Sequence, residues 1–479
     1  MTTSWAKAVS GIWETAANWT NGVPAPGGTA LLTVSGHAYT VTADGEDAFG
    51  VLDMAKNATL LNNDDFDITL GTGTGALAGT VDVGSDLVFG ADATDTTFNN
   101  TGTFNFEALG RVVIAGMVTL IGKGKINLVD PENIGIISDG TTVTLTNGNA
   151  SSANTISGVS KIGDSHMTFV NSAKGIVDAD VDNNNDTQVL EIAAASVTNA
   201  GLMEATANGL LYVTDDISQT GKGTLKAAQA GSTVWLYNAQ VLGGLVSVAK
   251  NAVLETLIGT GLISTTTPIK NAGEILAEGD FQISDSIQNS GTLAVDNSRL
   301  YITGAVTGGQ AEITGTGTLD FGGPSSAKVT FETNIAQPTN TGMLILGDPA
   351  KFTGTVAGMA ASPGASIDLE NIAFSDGPIV NYNPKTHLLT VTDQVAGITD
   401  KIKISGPAGT FTPSMALDGT TLISDPSAAP ATVPNNGAQL LAQSMASFGA
   451  TSGVAGSGTG SLAEHHTSPD FLAANSHHR

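Results

Sequence analysis

The chain has 479 residues, 18 Lys and Arg against 44 Asp and Glu, a net charge of −26 and no cysteine. Such a field repels phosphate backbones and excludes nucleic acid as a partner, and the missing thiols fit an exported protein. At 41% hydrophobic and 13% charged the composition excludes disorder, and no run approaches the roughly 20 apolar residues of a membrane span.

Residues 1–44 open with "MTTSWAKAVSGIWETAANW", which has neither a basic n-region nor an apolar h-region, so no secretory signal peptide is expected there. The segment holds three of the four tryptophans, Trp5, Trp13 and Trp19. Terminal repeats are usually atypical caps, and tryptophan is a common interface anchor. The three rings are therefore expected to form a head-to-tail interface between copies, the competing role being a cap on the protein's own first coil.

From 45 to 350 the sequence repeats itself. Asn-x-Gly followed by an apolar residue occurs at Asn100, Asn199, Asn271 and Asn289, and Asn271 to Asn289 is a step of 18. Asn199 to Asn271 is four such steps, while Gly-x-Gly-x-apolar recurs at Gly122, Gly221 and Gly315. Between the motifs lie short alternating β-branched runs such as "TVTLT", "LLYVTDD", "STVWLYN" and "RLYIT". A period of 18 to 22 with about three short strands per turn predicts an all-β, right-handed parallel β-helix (solenoid). Each coil templates the next; Gly is read as supplying positive φ at the corners, and Asn as tolerating it and pairing along the axis. A series of antiparallel sandwiches is the rival fold.

Residues 351–425 read as a small β-rich module with turns at "FSDG", "NYNPKTH" and "LDGT". Residues 426–479 read as a Pro/Ala linker, a short amphipathic helix at 438–448 and a flexible tail carrying His465, His466, His477 and His478.

Three stretches carry a family resemblance: "SGIWETAANWTNGVPAPGGTALLTVSGHAYTVT", "FTGTVAGM…SIDLENIAFSDG…LLTVTD…KIKISG…LDGTTLISDP" and "AQLLAQSMASF". Together they resemble large bacterial extracellular β-strand-repeat proteins of the adhesin and autotransporter-passenger type. The resemblance implies a location at the cell surface or in the matrix, reached by a C-terminally addressed route, and supplies no catalytic residues.

The strongest chemical candidate is "DADVDNNNDTQ", where Asp178, Asp180, Asp182, Asn184 and Asp186 can share a hard cation such as calcium. The alternative is a solvated corner loop. "NNDDFD" offers Asp64, Asp65 and Asp67 as acid and base of a glycosidase, but only three arginines and no nucleophile–base motif accompany them. No catalytic residue is assigned. The expectation is a secreted structural protein that assembles with itself end to end, with cell-surface or matrix polysaccharide as a further partner. A polysaccharide lyase or hydrolase, or a monomeric glycan-binding adhesin, is the alternative, and a groove lined with acids and aromatics would favour the enzyme.

Overall fold

The computed structural model describes residues 1–425 apart from 46, 63–67, 72–74, 91–94, 107–109, 130–134, 182–187, 334–339, 363 and 407–408. The expected helix at 438–448 and the tail histidines lie outside these residues, as do Asp64, Asp65 and Asp67.

The described chain is a parallel β-solenoid with three strands per coil. One coil runs Ser196–Asn199 in a first sheet, Leu202–Ala205 in a second and Leu210–Val213 in a third. The next coil begins at Ile217–Gln219, which pairs in parallel with the strand that opened the previous one. The second sheet stacks 14 strands, which at about 4.8 Å per rung gives roughly 60 Å of stack.

The strands form where the sequence alternates. In Thr233–Leu236 ("TVWL"), Val234 and Leu236 turn inward and Trp235 turns out. Inward residues stack on their equivalents one coil away: Leu145, Phe169, Val197, Ile217, Val241, Ile263 and Ile283 form one continuous buried column in the first sheet. A side chain in such a column meets apolar neighbours above, below and across, so removing one leaves a cavity that the stack cannot close.

The corners are where asparagine matters. Asn199 is fully buried and satisfies its whole amide. Its oxygen accepts from Asn171 Nδ2 at 2.9 Å and from the Gly201 N–H at 3.1 Å. Its nitrogen donates to Gln219 Oε1 at 3.0 Å and to the Thr224 carbonyl at 3.1 Å. Asn100, Asn154 and Asn147 continue the same amide chain downward, through contacts of 3.2, 2.9 and 2.9 Å. A second ladder joins Asn271 to Asn289 at 2.9 Å, 18 residues apart.

Three sequence expectations change in detail. Axial partners are 18 residues apart at the tightest coil and 28 at Asn171–Asn199, so the repeat is looser than 18 to 22. The four even steps from Asn199 to Asn271 are a coincidence. Asn199 ends a first-sheet strand, whereas Asn271 ends a second-sheet strand and stacks over Val248. The motif also recurs at Asn340, whose oxygen accepts the Gly342 N–H at 2.7 Å.

The reason for the glycine also differs. Gly291 has no left-handed φ; instead a Cβ there would lie 1.9 Å from the Gly273 carbonyl oxygen of the coil below. Glycine in this motif keeps the corner of one coil close to the next, while the asparagine oxygen caps its N–H. Gly221 is the case the sequence reading describes, with φ +59 and open space around it.

The boundaries at 44/45 and 350/351 are not breaks in pairing. Thr2–Ser4 pairs with Thr29–Leu32, which pairs in turn with Val51–Met54. At the other end Met343–Leu346 pairs in parallel with Ser366–Leu369, and Thr355–Ala357 with Lys403–Ser405. Only then does the chain turn antiparallel, in 412–424 and in 379–405, with reversals at two of the predicted turns, "NYNPKTH" and "LDGT", and at 394–397, while "FSDG" carries the chain from the first sheet to the third.

Both rims are blunted. At the N-terminal end the chain folds back along its first strand: Thr20 N–H donates to the Ser4 carbonyl at 2.9 Å, and Trp5 and Trp19 form an antiparallel bridge. Trp19 packs edge-on against Trp5 and Trp13 at 5.1 and 4.7 Å, and donates to the Trp13 carbonyl at 2.7 Å. At 2%, 0% and 4% exposure, Trp5, Trp13 and Trp19 offer no surface for docking, so in the folded chain they are the cap rather than the expected interface. At the C-terminal end the outermost strands are Thr412–Met415, which contains Pro413, and Ile379–Asn383, which sits between Pro378 and Pro384. Proline has no N–H to offer an incoming strand.

Candidate functional site

The 178–186 acid run is only partly described, since Asp182, Asn184 and Asp186 fall among the residues left out. Asp178 faces outward from Gly175–Ala179 and accepts from Thr206 Oγ1 at 2.8 Å. Burial pushes its carboxyl up to about 6; Glu204 and Asp180 add to the rise, while the Thr206 hydrogen bond and Lys125 oppose it. Asp180 is paired with Lys125 Nζ at 2.9 Å. Both described acids thus have partners within the protein. Among the described residues no group of three His, Asp or Glu side chains is placed to hold a metal ion.

Two shallow concavities open on the outer surface. One, of about 360 Å³, is lined by Lys226, Ser247, Lys270, Gln288 and the ladder residues Asn271 and Asn289. The other, of about 290 Å³, is lined by Asn238, Gln240, Asp280, Gln282, Arg299 and Tyr301. Arg299 stacks 5.2 Å over the Tyr301 ring and pairs with Asp320, a buried carboxylate raised by desolvation and drawn back by that arginine.

The third sheet carries a different surface. Its central outward column reads Lys161, Glu191, Tyr212, Trp235, Glu255, one residue per coil. Tyr212 and Trp235 occupy neighbouring rungs and meet edge to face at 6.1 Å, and the exposed Tyr237 tilts against Tyr212 at 6.3 Å. Carboxylates flank the rings. Lys161 pairs with Glu191 at 3.3 Å, and Trp235 Nε1 donates to Glu255 Oε2 at 2.9 Å. Loss of water around the Glu278 carboxyl and the nearby Asp296 raise its pKa, and the neighbouring Glu255 draws it back. Asp215 is raised by burial and drawn down by Lys161. An indole and two phenols amid hydrogen-bonding acids form an amphipathic platform, with apolar ring area and polar groups at its margin.

Both strands of this platform are legible as strands in the sequence, but not as neighbours. The signal was present: in "LLYV" and "TVWL" the aromatic falls on the outward phase, and Tyr212 and Trp235 are 23 residues apart, one coil. What concealed it was the width of the repeat, which ranges too far for a fixed period to align the two strands.

No family model, curated protein or solved structure matches this chain. No helix among the described residues is long and apolar enough to cross a membrane.

Proposed function

We propose that the protein is an extracellular structural protein of the cell surface or matrix that holds polysaccharide along the third sheet of its solenoid. The observation that carries this reading is the outward set of Tyr212 on one rung and Trp235 and Tyr237 on the next, between carboxylates. Rungs about 4.8 Å apart repeat on the length scale of a sugar unit, so a linear polymer lying along the stack meets a new side chain at each step.

The blunted rims alter the expected mode of assembly. With the first strand paired by residues 18–22 and proline on or beside the last strands, strand-to-strand growth from end to end has little to build on. In this reading, copies are joined through a shared polymer.

Affinity electrophoresis in gels containing hydroxyethylcellulose, dextran or glycol chitin tests the reading. Retardation by at least one polymer, abolished in a Tyr212→Ala, Trp235→Ala double variant, is the expected result. No retardation by any of them, or retardation unchanged in the variant, contradicts it.

A further inference from the structure

We infer that the third-sheet platform selects polysaccharides whose sugars carry free amines, that is, a partly or wholly de-N-acetylated amino-sugar polymer; this rests on the polysaccharide reading above. The argument is one of charge at the platform itself. Glu191 lies one rung from Tyr212 and Glu255 accepts from Trp235, Asp215 and Glu278 stand beside these two acids, and the neighbouring Lys161 is paired with Glu191. A polyuronate or sulfated glycan would bring anions against these carboxylates within a protein of net charge −26. A neutral glycan would gain the stacking and some hydrogen bonds, but leave the carboxylates partly desolvated against hydroxyls.

A protonated sugar amine changes that balance. It offers charge-assisted hydrogen bonds to carboxylates already placed at the ring margin, and a cation over an aromatic face. Trp235 Nε1 holds Glu255 in place for this role, and the rung below positions Glu191 at the other margin of Tyr212.

Two other polar surfaces among the described residues lack this combination. The Arg299–Tyr301 concavity has its cation already stacked on the ring and paired with Asp320, which leaves its chemistry satisfied internally. The Asp178–Glu204 region has acids without an outward aromatic, and Lys125 and Lys226 answer its charge.

The test is isothermal titration of the full chain with chitosan hexamer and with chitin hexamer, sugars of equal length that differ in the N-acetyl group. The chitosan form is expected to bind roughly five- to tenfold tighter near pH 6, with the advantage lost in high salt and in Glu191→Gln, Glu255→Gln variants. If both hexamers bind equally, or the acetylated one binds tighter, and Trp235→Ala weakens both, the amine inference is overturned while the polysaccharide reading stands. If neither binds and the polymer gels also show no retardation, both fall. If chitosan binds but Trp235→Ala is without effect, its attraction is to the protein's general negative charge, and the platform assignment is overturned.

Discussion

The corner ladder and the third-sheet platform are built by the same device and do opposite work. Each places one polar or aromatic side chain per coil in register with its neighbour. In the ladder the column turns inward, Asn147, Asn171 and Asn199 are fully buried, and each amide nitrogen divides its donors between the next side chain and a backbone carbonyl. On the platform the column turns outward, and Tyr212, Trp235 and Tyr237 retain surface while their acids crowd the margin. Stacking turned inward fixes the fold; stacking turned outward leaves a repeating surface free for a partner. The two regions should therefore respond differently to the same scale of substitution.

The largest effect is expected inside. Asn199→Leu leaves the Asn171 amide nitrogen, the Gln219 oxygen, the Thr224 carbonyl and the Gly201 N–H without their partner in a buried corner. Stability should fall by on the order of 4 kcal/mol, read as a lower urea midpoint. A change below about 1 kcal/mol would mean that water reaches the corner and replaces the ladder.

Next comes the glycine beside the second ladder. Gly291→Ala drives a Cβ into the Gly273 carbonyl and should cost about 2–3 kcal/mol, since the coil spacing must open locally. Gly221→Ala meets nothing within 4 Å and should cost only the left-handed strain of about 1 kcal/mol. Equal costs at the two sites would contradict the division between close-approach and turn glycines.

The acidic outer surface gives a smaller, pH-dependent effect. Asp178 titrates near 6 when folded, above the ordinary 3.8, so the folded state holds its proton more tightly than the unfolded state. Its unfavourable contribution is therefore absent below about pH 4, grows as pH rises through 6 and is then constant. Because the group is partly exposed, the loss is screened to about 1 kcal/mol. Asp178→Asn should flatten that part of the stability profile between pH 4 and 7, checked by thermal melts across the range. A slope unchanged by the substitution would place the titration elsewhere.

The sequence made the fold legible because a solenoid writes its geometry into spacing. Asn-x-Gly and Gly-x-Gly recur because coil after coil must turn a corner, at more than one edge of the solenoid. The reason was less legible than the recurrence: Gly291 and Gly221 look alike as letters, and only the carbonyl of the neighbouring coil separates them. The cap was half legible. Trp5, Trp13 and Trp19 stand out in an aromatic-poor chain, but whether three tryptophans turn inward or outward depends on residues 18–22 folding back along the first strand. The platform was the least legible, since Tyr212 and Trp235 become neighbours only once coils of unequal length are stacked.

The smallest expected effect on stability belongs to the platform, and there it is the informative one. Trp235→Ala should change stability by no more than about 0.5 kcal/mol, as for an ordinary surface site, while weakening polysaccharide binding roughly tenfold or more. A large loss of stability would instead make Trp235 a packing residue of the outer surface.

The most direct measurement is hydroxyl-radical footprinting of the full chain with and without chitosan hexamer, because the four tryptophans report separately on platform and cap. Tyr212, Trp235 and Tyr237 should become protected, while Trp5, Trp13 and Trp19, already buried, stay unchanged. Protection confined to any other face, or no protection of these three residues at saturating hexamer, would contradict the assignment of the third sheet as the binding surface.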